Sequence, residues 1–334
     1  MLRRRDFYNP FYLLLRKIRY IMERDNMRDY ILKRLATVIP ILIGISFLSF
    51  ALISLSPSNP AEVALRVNEI VPTEEAVRAM EEQLGTNKPY IERYVTWLTD
   101  SLQGDFGNSY VNNKPVATLI GQAIPNTIKL AFVALLITIV FSVLVGILCA
   151  VYEGSFGDKL ARALVFVGTA MPSFWVGLLL IWIFSVKLNL FPTSGMERPS
   201  SIVLPAITLA LSYISTYVRL IRNNMVQNKH ENYVYYARIR GLKETTIIKH
   251  IFKNSLQSSL TALGMSIPKL IAGTVIVENI FAWPGVGRVC VDAIFNRDFP
   301  VIQAYILLMA VLFVICNLLV DIFSVAIDPR MRKE

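Results

Sequence analysis

The 334-residue chain has two histidines and three cysteines, and only 17% of its residues are charged. A soluble domain carries about a quarter charged residues, so an ordinary cytosolic globule is excluded. Cys149, Cys290 and Cys316 are odd in number and widely spaced, which rules out a disulfide framework and a cysteine zinc site. There is no G-x-x-x-x-G-K-[ST] phosphate loop, so ATP hydrolysis by that route is excluded, and there is no H-E-x-x-H. His230 and His250 lie in one basic loop, where solvated side chains are expected rather than metal ligands. Ser266-Ile-Pro-Lys269 matches the Ser–Lys nucleophile pattern, but a four-residue match inside an apolar helix is a coincidence. Pro284-Gly-Val-Gly-Arg288 lacks the preceding strand of a dinucleotide fingerprint and reads as a turn. No catalytic site and no cofactor site is visible.

What is present is apolar surface in long blocks: hydrophobic residues make up 54% of the chain and mean hydropathy is +0.50. Crossing a bilayer takes about 20 apolar residues. Leu35–Leu55, Leu130–Val151, Ala163–Val186 and Val301–Val320 carry no charge. Ile202–Val218 is slightly short, and Leu256–Ile280 contains Lys269 and Glu278. Six membrane helices are therefore expected in an all-α integral membrane protein.

Positive charge sets the orientation. Residues 1–34 hold ten Lys/Arg against four acids, and Arg219–Lys253 holds eight against two. Ser56–Lys129 holds six against nine, and the tail adds Arg330, Arg332 and Lys333. Both termini and the 219–253 loop are thus expected in the cytoplasm, with 56–129 outside. The net charge of +10 then reflects topology and anionic lipid rather than nucleic acid. Residues 1–34 lack a signal-peptide core because Arg16-Lys17 interrupts it, and they read as a basic amphipathic helix on the inner surface. Met22 or Met27 is an alternative natural start.

In the outer segment, Thr73–Leu84 reads as a Thr-capped helix, and Tyr90–Leu102 as a second with Tyr90, Tyr94, Trp97 and Leu98 on one stripe. Gly104-Asp-Phe-Gly-Asn108 ends it as a turn. In the inner loop, Glu231–Arg240 reads as a short helix with Tyr233, Tyr236, Ala237 and Arg240 on one face. Gly241 supplies a left-handed cap, and a new helix begins near Thr245 with Ile247, Ile248, Ile251 and Phe252 as its apolar face. Such an elbow suggests a docking surface; a loop folded back onto the membrane is the plainer alternative. Ionisable groups at membrane depth are functional candidates by default: Lys269 near mid-span and Glu278 near the outer mouth, nine residues apart and so on nearly opposite faces.

Asn232-Tyr-Val-Tyr-Tyr-Ala-Arg-Ile-Arg-Gly-Leu242, followed by Ile251, resembles the EAA loop of ATP-binding-cassette importer permeases, matching at Ala237, Gly241 and Ile251. Tyr235-Tyr236 and Lys253-Asn254 depart from the general pattern in the manner of the dipeptide/oligopeptide/nickel family. From Met27 onward, Leu84-Gly-Thr-Asn-Lys-Pro89, Met171-Pro-Ser-Phe-Trp175 and Leu190-Phe-Pro-Thr-Ser-Gly195 are similar to that family. Pro57-Ser-Asn-Pro-Ala61 lacks the acid common before its second proline. Val277–Arg288 and Ala293–Gln303 resemble the nickel and metallophore branch, as its first permease subunit.

The resemblance implies a type I importer permease fold. Residues 35–334 form the permease domain, with outer segment 56–129 and coupling loop 222–254. The implied partners are a second, unlike permease, two ATPases that use the ATP, and an extracytoplasmic solute-binding protein in a bacterial inner membrane. Asn232, Tyr233, Tyr236, Ala237, Arg238, Gly241 and Leu242 would contact the ATPase. Lys269, Glu278, Ser173 and Trp175 would line the pathway. The implied cargo is nickel, cobalt or a metal chelate, with di- or oligopeptides as the alternative. A channel or signalling subunit is the alternative of another class. A bare divalent ion favours imidazole or grouped carboxylates, and no expected span contains histidine, so the expected form is a chelate.

Overall fold

A computed structural model describes residues 25–55 and 58–327, and every regular element in it is helical. Helices α1 (Asp25–Ser54), α5 (Val116–Val151), α8 (Val203–Lys229), α10 (Glu244–Ile280) and α12 (Phe299–Ile327) are each long and apolar enough to cross a membrane. The third expected span, Ala163–Val186, is not one helix. It is split into α6 (Phe156–Ala170) and α7 (Ser173–Leu180), which continues as a π-helical stretch to Lys187, and the two halves are bent by 105°. Pro172 is the cause, because it has no N–H to donate and its ring bars the preceding turn. The broken pair still runs the length of the bundle. Asp158 meets Arg222, Gly168 lies against Ser215 and Gly177 against Thr208, so its contacts climb α8 step by step to the opposite end.

The helices overrun the apolar blocks. Helix α5 begins at Val116, fourteen residues before Leu130, α8 runs on to Lys229, and α10 starts at Glu244. Hydropathy marks where lipid begins, not where a backbone leaves helical geometry, and Gln122, Asn126 and Lys129 are tolerated on a helix in water. The outer segment therefore shrinks to 56–115 and the inner loop to 230–243. At the N-terminal side, residues 25–34 continue the α1 helix. The surface-helix expectation for residues 1–24 and the cytoplasmic placement expected of the basic tail 328–334 lie outside the described residues.

The outer segment holds three helices rather than two. The addition, α2 (Pro60–Val67), starts at Asn59, whose side chain accepts from the Ala61 N–H, with Pro60 at the first position where its missing donor costs nothing. Helix α3 (Glu74–Leu84) is capped by Thr73 and closed by Gly85 at φ 64°, and α4 spans Tyr90–Leu102. The tyrosine stripe of α4 docks on α1: Tyr94 packs edge-on to Phe47 and Phe50, and its hydroxyl pairs with that of Ser46 at 2.8 Å. The segment is latched to α12, since Ser109 Oγ and the Tyr110 N–H both donate to the buried Asp298 carboxylate. Burial, with that carboxylate nearby, pushes the Tyr110 hydroxyl up to about 12.

The core lies where α5, α8 and α10 meet, around Leu130, Leu209, Leu270, Phe281 and Trp283. At the opposite end from the outer segment, Arg222 forms a bidentate pair with Asp158 at 2.8 and 2.9 Å, and the Gly154 N–H also donates to that carboxylate. Removing one partner strands a buried charge, although Arg162, at 3.3 Å, would still compensate part of it. Arg222→Met should therefore cost about 2 kcal/mol, with Asp158→Asn/Arg222→Met recovering most of the loss in thermal unfolding of the purified protein.

Candidate functional site

Two places gather the residues singled out by sequence: the elbow between α8 and α10, and the outer end of α10. At the elbow, α9 (Asn232–Ile239) is closed by a Schellman motif. The Leu242 N–H bonds to the Ala237 carbonyl, the Gly241 N–H bonds to the Arg238 carbonyl, and Gly241 sits at φ +70°. Arg238 reaches across the bend to Glu244 at 3.2 Å. Underneath, Val234 (0% exposed), Tyr233 and Ala237 pack on Ile221, Met225, Ile247 and Ile251. The expected face of Tyr233, Tyr236, Ala237 and Arg240 is thus corrected. Both that set and the observed one are helical stripes, and the one that turns inward is Tyr233, Val234 and Ala237, while Ile239 stays outside. Tyr236 (62% exposed) points away with Tyr235 (64%) and Ile239 (65%), and the two tyrosine rings meet at 5.9 Å. Leu242 is exposed beside them, and Asn232, Arg238 and Gly241 are exposed as well. Tyr235 and Ile239 belong to this surface and were not among the expected site residues; their spacing from Tyr236 by one and three positions was the available signal.

The expected pathway residues do not converge. Lys269 is exposed in a groove of about 810 Å³ between α1, α10 and α12, together with Tyr305, Asn317 and Asp321. Ser173 is half-buried at the start of α7 and Trp175 is exposed two residues on, and neither lines that groove.

Glu278 departs from the pathway expectation, because it is sealed inside the protein at 0% exposure. Thr127 Oγ1 donates to its Oε1 at 2.7 Å, and the N–H groups of Gly287 and Arg288 donate to its Oε2 at 2.7 and 3.2 Å. Thr127 Oγ1 in turn accepts from the Val286 N–H at 2.9 Å. The carboxylate thereby caps α11 (Val286–Phe295), satisfying donors that a helix start leaves open. Pro284-Gly-Val-Gly-Arg288 is a turn only as far as Gly285; the helix begins at Val286. Its glycines are needed for approach: a Cβ on Gly285 would lie 2.3 Å from Glu278 Cδ, and one on Gly287 would lie 2.6 Å from Val275 Cα. Trp283, also buried, donates from its ring nitrogen to the Asn126 carbonyl at 3.0 Å, and Asn126 donates back to the Pro284 carbonyl.

The molecule is thus an all-helical bundle with membrane-length helices, an exposed aromatic elbow at one end and a sealed, capped turn at the other. Two family models match the chain. One is the N-terminal membrane component of binding-protein-dependent transport systems, over residues 27–131; the other is the binding-protein-dependent transport system inner membrane component, over 142–333. The chain belongs to this family: it is a multi-pass inner-membrane permease of an ATP-binding-cassette importer, and ATP hydrolysis belongs to partner ATPases. This membership sets aside the channel alternative.

Among curated relatives, it is 40% identical to the metal-staphylopine import system permease protein CntB of Staphylococcus aureus, covering 92% of this chain and 99% of that one. It is 37% identical to the oligopeptide transport system permease protein AppB of Bacillus subtilis (92% and 100% covered), and 34% identical to the glutathione transport system permease protein GsiC of Escherichia coli (92% and 100%). An inward-facing structure of the MetNI methionine ABC transporter aligns with a TM-score of 0.54 at 16% identity, covering 63% of this chain and 96% of that one. The type I importer permease fold expected from the sequence is therefore present.

Proposed function

We propose that this chain pairs with a second, unlike permease to form the pathway for a metal chelate, driven by two ATPases and supplied by an extracytoplasmic solute-binding protein. The observation that carries the cargo reading is the 40% identity to the metal-staphylopine permease over nearly both full lengths. The exposed tyrosines of α9 are the ATPase contact. The basic excess at the α9 end makes that end cytoplasmic, together with the start of α1 and the end of α12.

Lys269 favours an anionic chelate over a bare cation, since a fixed ammonium attracts the first and repels the second. Cells carrying the complete transporter should take up radioactive nickel only with a chelator present, and Lys269→Met should lower that uptake severalfold at unchanged expression. Equal uptake of the free ion would overturn the chelate reading. The 37% identity to an oligopeptide permease favours the second reading, a peptide cargo. Growth on di- or oligopeptides as sole amino-acid source, abolished by deleting this chain, would establish that reading instead.

A further inference from the structure

A cavity of about 510 Å³ lies between the outer helices α2–α4, the top of α1 and the first turn of α12, and it shares no lining residue with the Lys269 groove. That volume suits a small organic molecule. Its lining is built rather than incidental. Arg93, Trp97 and Asp100 follow one another at i, i+4 and i+7 on α4 and all face the cavity. A basic and an acidic group thus stand about 10 Å apart along one helix face, with an indole between them.

The guanidinium of Arg93 lies over the Phe50 ring at 5.8 Å and has no ion pair with a carboxylate among the described residues. A guanidinium held against an aromatic face can still bind a carboxylate through its N–H groups. Asp100 likewise makes no ion pair among the described residues. From the α12 side, Gln303 enters the same cavity with only 9% of its surface exposed, and its amide has no hydrogen-bond partner among the described residues. Its amide opens into the cavity and is free to meet a polar group there. Tyr110 adds a hydroxyl that stays protonated at neutral pH.

We propose that this outer cavity binds a small zwitterion of roughly tripeptide size. Its carboxylate lies on Arg93, its amino group on Asp100, its backbone over Trp97, and a polar group meets the Gln303 amide. The site does not depend on which cargo the transporter carries. Such a ligand could be cargo on its way in or an effector held at the mouth, and the test separates the two.

The assembled transporter, without its solute-binding protein, is dialysed to equilibrium against radiolabelled glutathione, which carries one amino group and two carboxylates. Saturable binding of one equivalent per copy of this chain is expected. Arg93→Gln and Asp100→Asn should each weaken it at least tenfold, as should Gln303→Leu. Arg93 and Asp100 are not part of the core, so their variants keep the test decisive if Gln303→Leu fails to fold. Absence of saturable binding, or binding unmoved by Arg93→Gln, would overturn the site. A parallel fall in uptake in Arg93→Gln identifies the ligand as cargo. Unchanged uptake that no longer responds to added glutathione identifies an effector. Either result leaves the site standing.

Discussion

Glu278→Ala should lower the stability of the purified protein by about 4 kcal/mol and abolish import, the largest single-residue loss expected in this chain. The substitution removes the acceptor for the Thr127 hydroxyl and for the N–H groups of Gly287 and Arg288 at one stroke. The Thr127 hydroxyl and the Gly287 N–H stay buried and the Arg288 N–H half-buried, and each buried donor left unpaired costs about 1–3 kcal/mol. Glu278→Gln should lose far less. Its carbonyl can still accept from Gly287 and Arg288, and its amide can donate to Thr127 Oγ1, which reverses that bond without breaking it. Gly285→Ala should behave like Glu278→Ala, because a methyl group there occupies the space of the carboxylate. Thermal unfolding and uptake measured together check this. A pathway role without a structural one would instead leave the unfolding midpoint of Glu278→Ala at its original value, and that result would sink the cap.

Tyr236→Asp combined with Ile239→Asp should reduce import at least tenfold while the chain inserts and folds as before. Both side chains are exposed, so their exchange should change stability by no more than about 0.5 kcal/mol. If an ATPase seats on them, two carboxylates placed in an apolar contact must be desolvated on docking, and a tenfold loss needs only about 1.4 kcal/mol. The expected readouts are failure of the ATPase to co-purify, or ATP hydrolysis that continues without uptake. Val234→Asp is the contrasting control: it buries a charge under α9 and should destabilise the chain itself. Normal transport by the Tyr236/Ile239 double variant would remove α9 from the coupling role.

Local features proved legible wherever a short window holds the whole cause. Thr73 before Glu74-Glu75, the tyrosine stripe of α4, and Gly241 after an eight-residue helix each carry their reason within a turn or two, and each stands where expected. The uncharged blocks located the crossings but not the helix ends, because helical geometry continues past the lipid into polar sequence such as Gln122–Lys129. The break at Pro172 was hidden by apolar residues on both sides, although the proline itself was the signal. The surroundings of Glu278 could not be read from a window at all. Thr127 is 151 residues away in the chain, and only the packing of α5 against α10 brings it to the carboxylate. An acid in a span was correctly marked as costly, but its compensation is a helix start eight residues later, at Val286. The same limit explains Asp158 with Arg222 and Asp298 with Ser109, where an unremarkable charge is made structural by a distant partner.

The kink at Pro172 has a consequence for what surrounds it. Where α6 stops, its closing carbonyls face a residue that offers no hydrogen, and the next helix leaves at 105°. Hydrocarbon cannot solvate such groups, so exposed irregular backbone is not sustained against lipid. Wherever that kink meets the bilayer, its open carbonyls would need a neighbouring chain or water to supply the hydrogen bonds that lipid withholds.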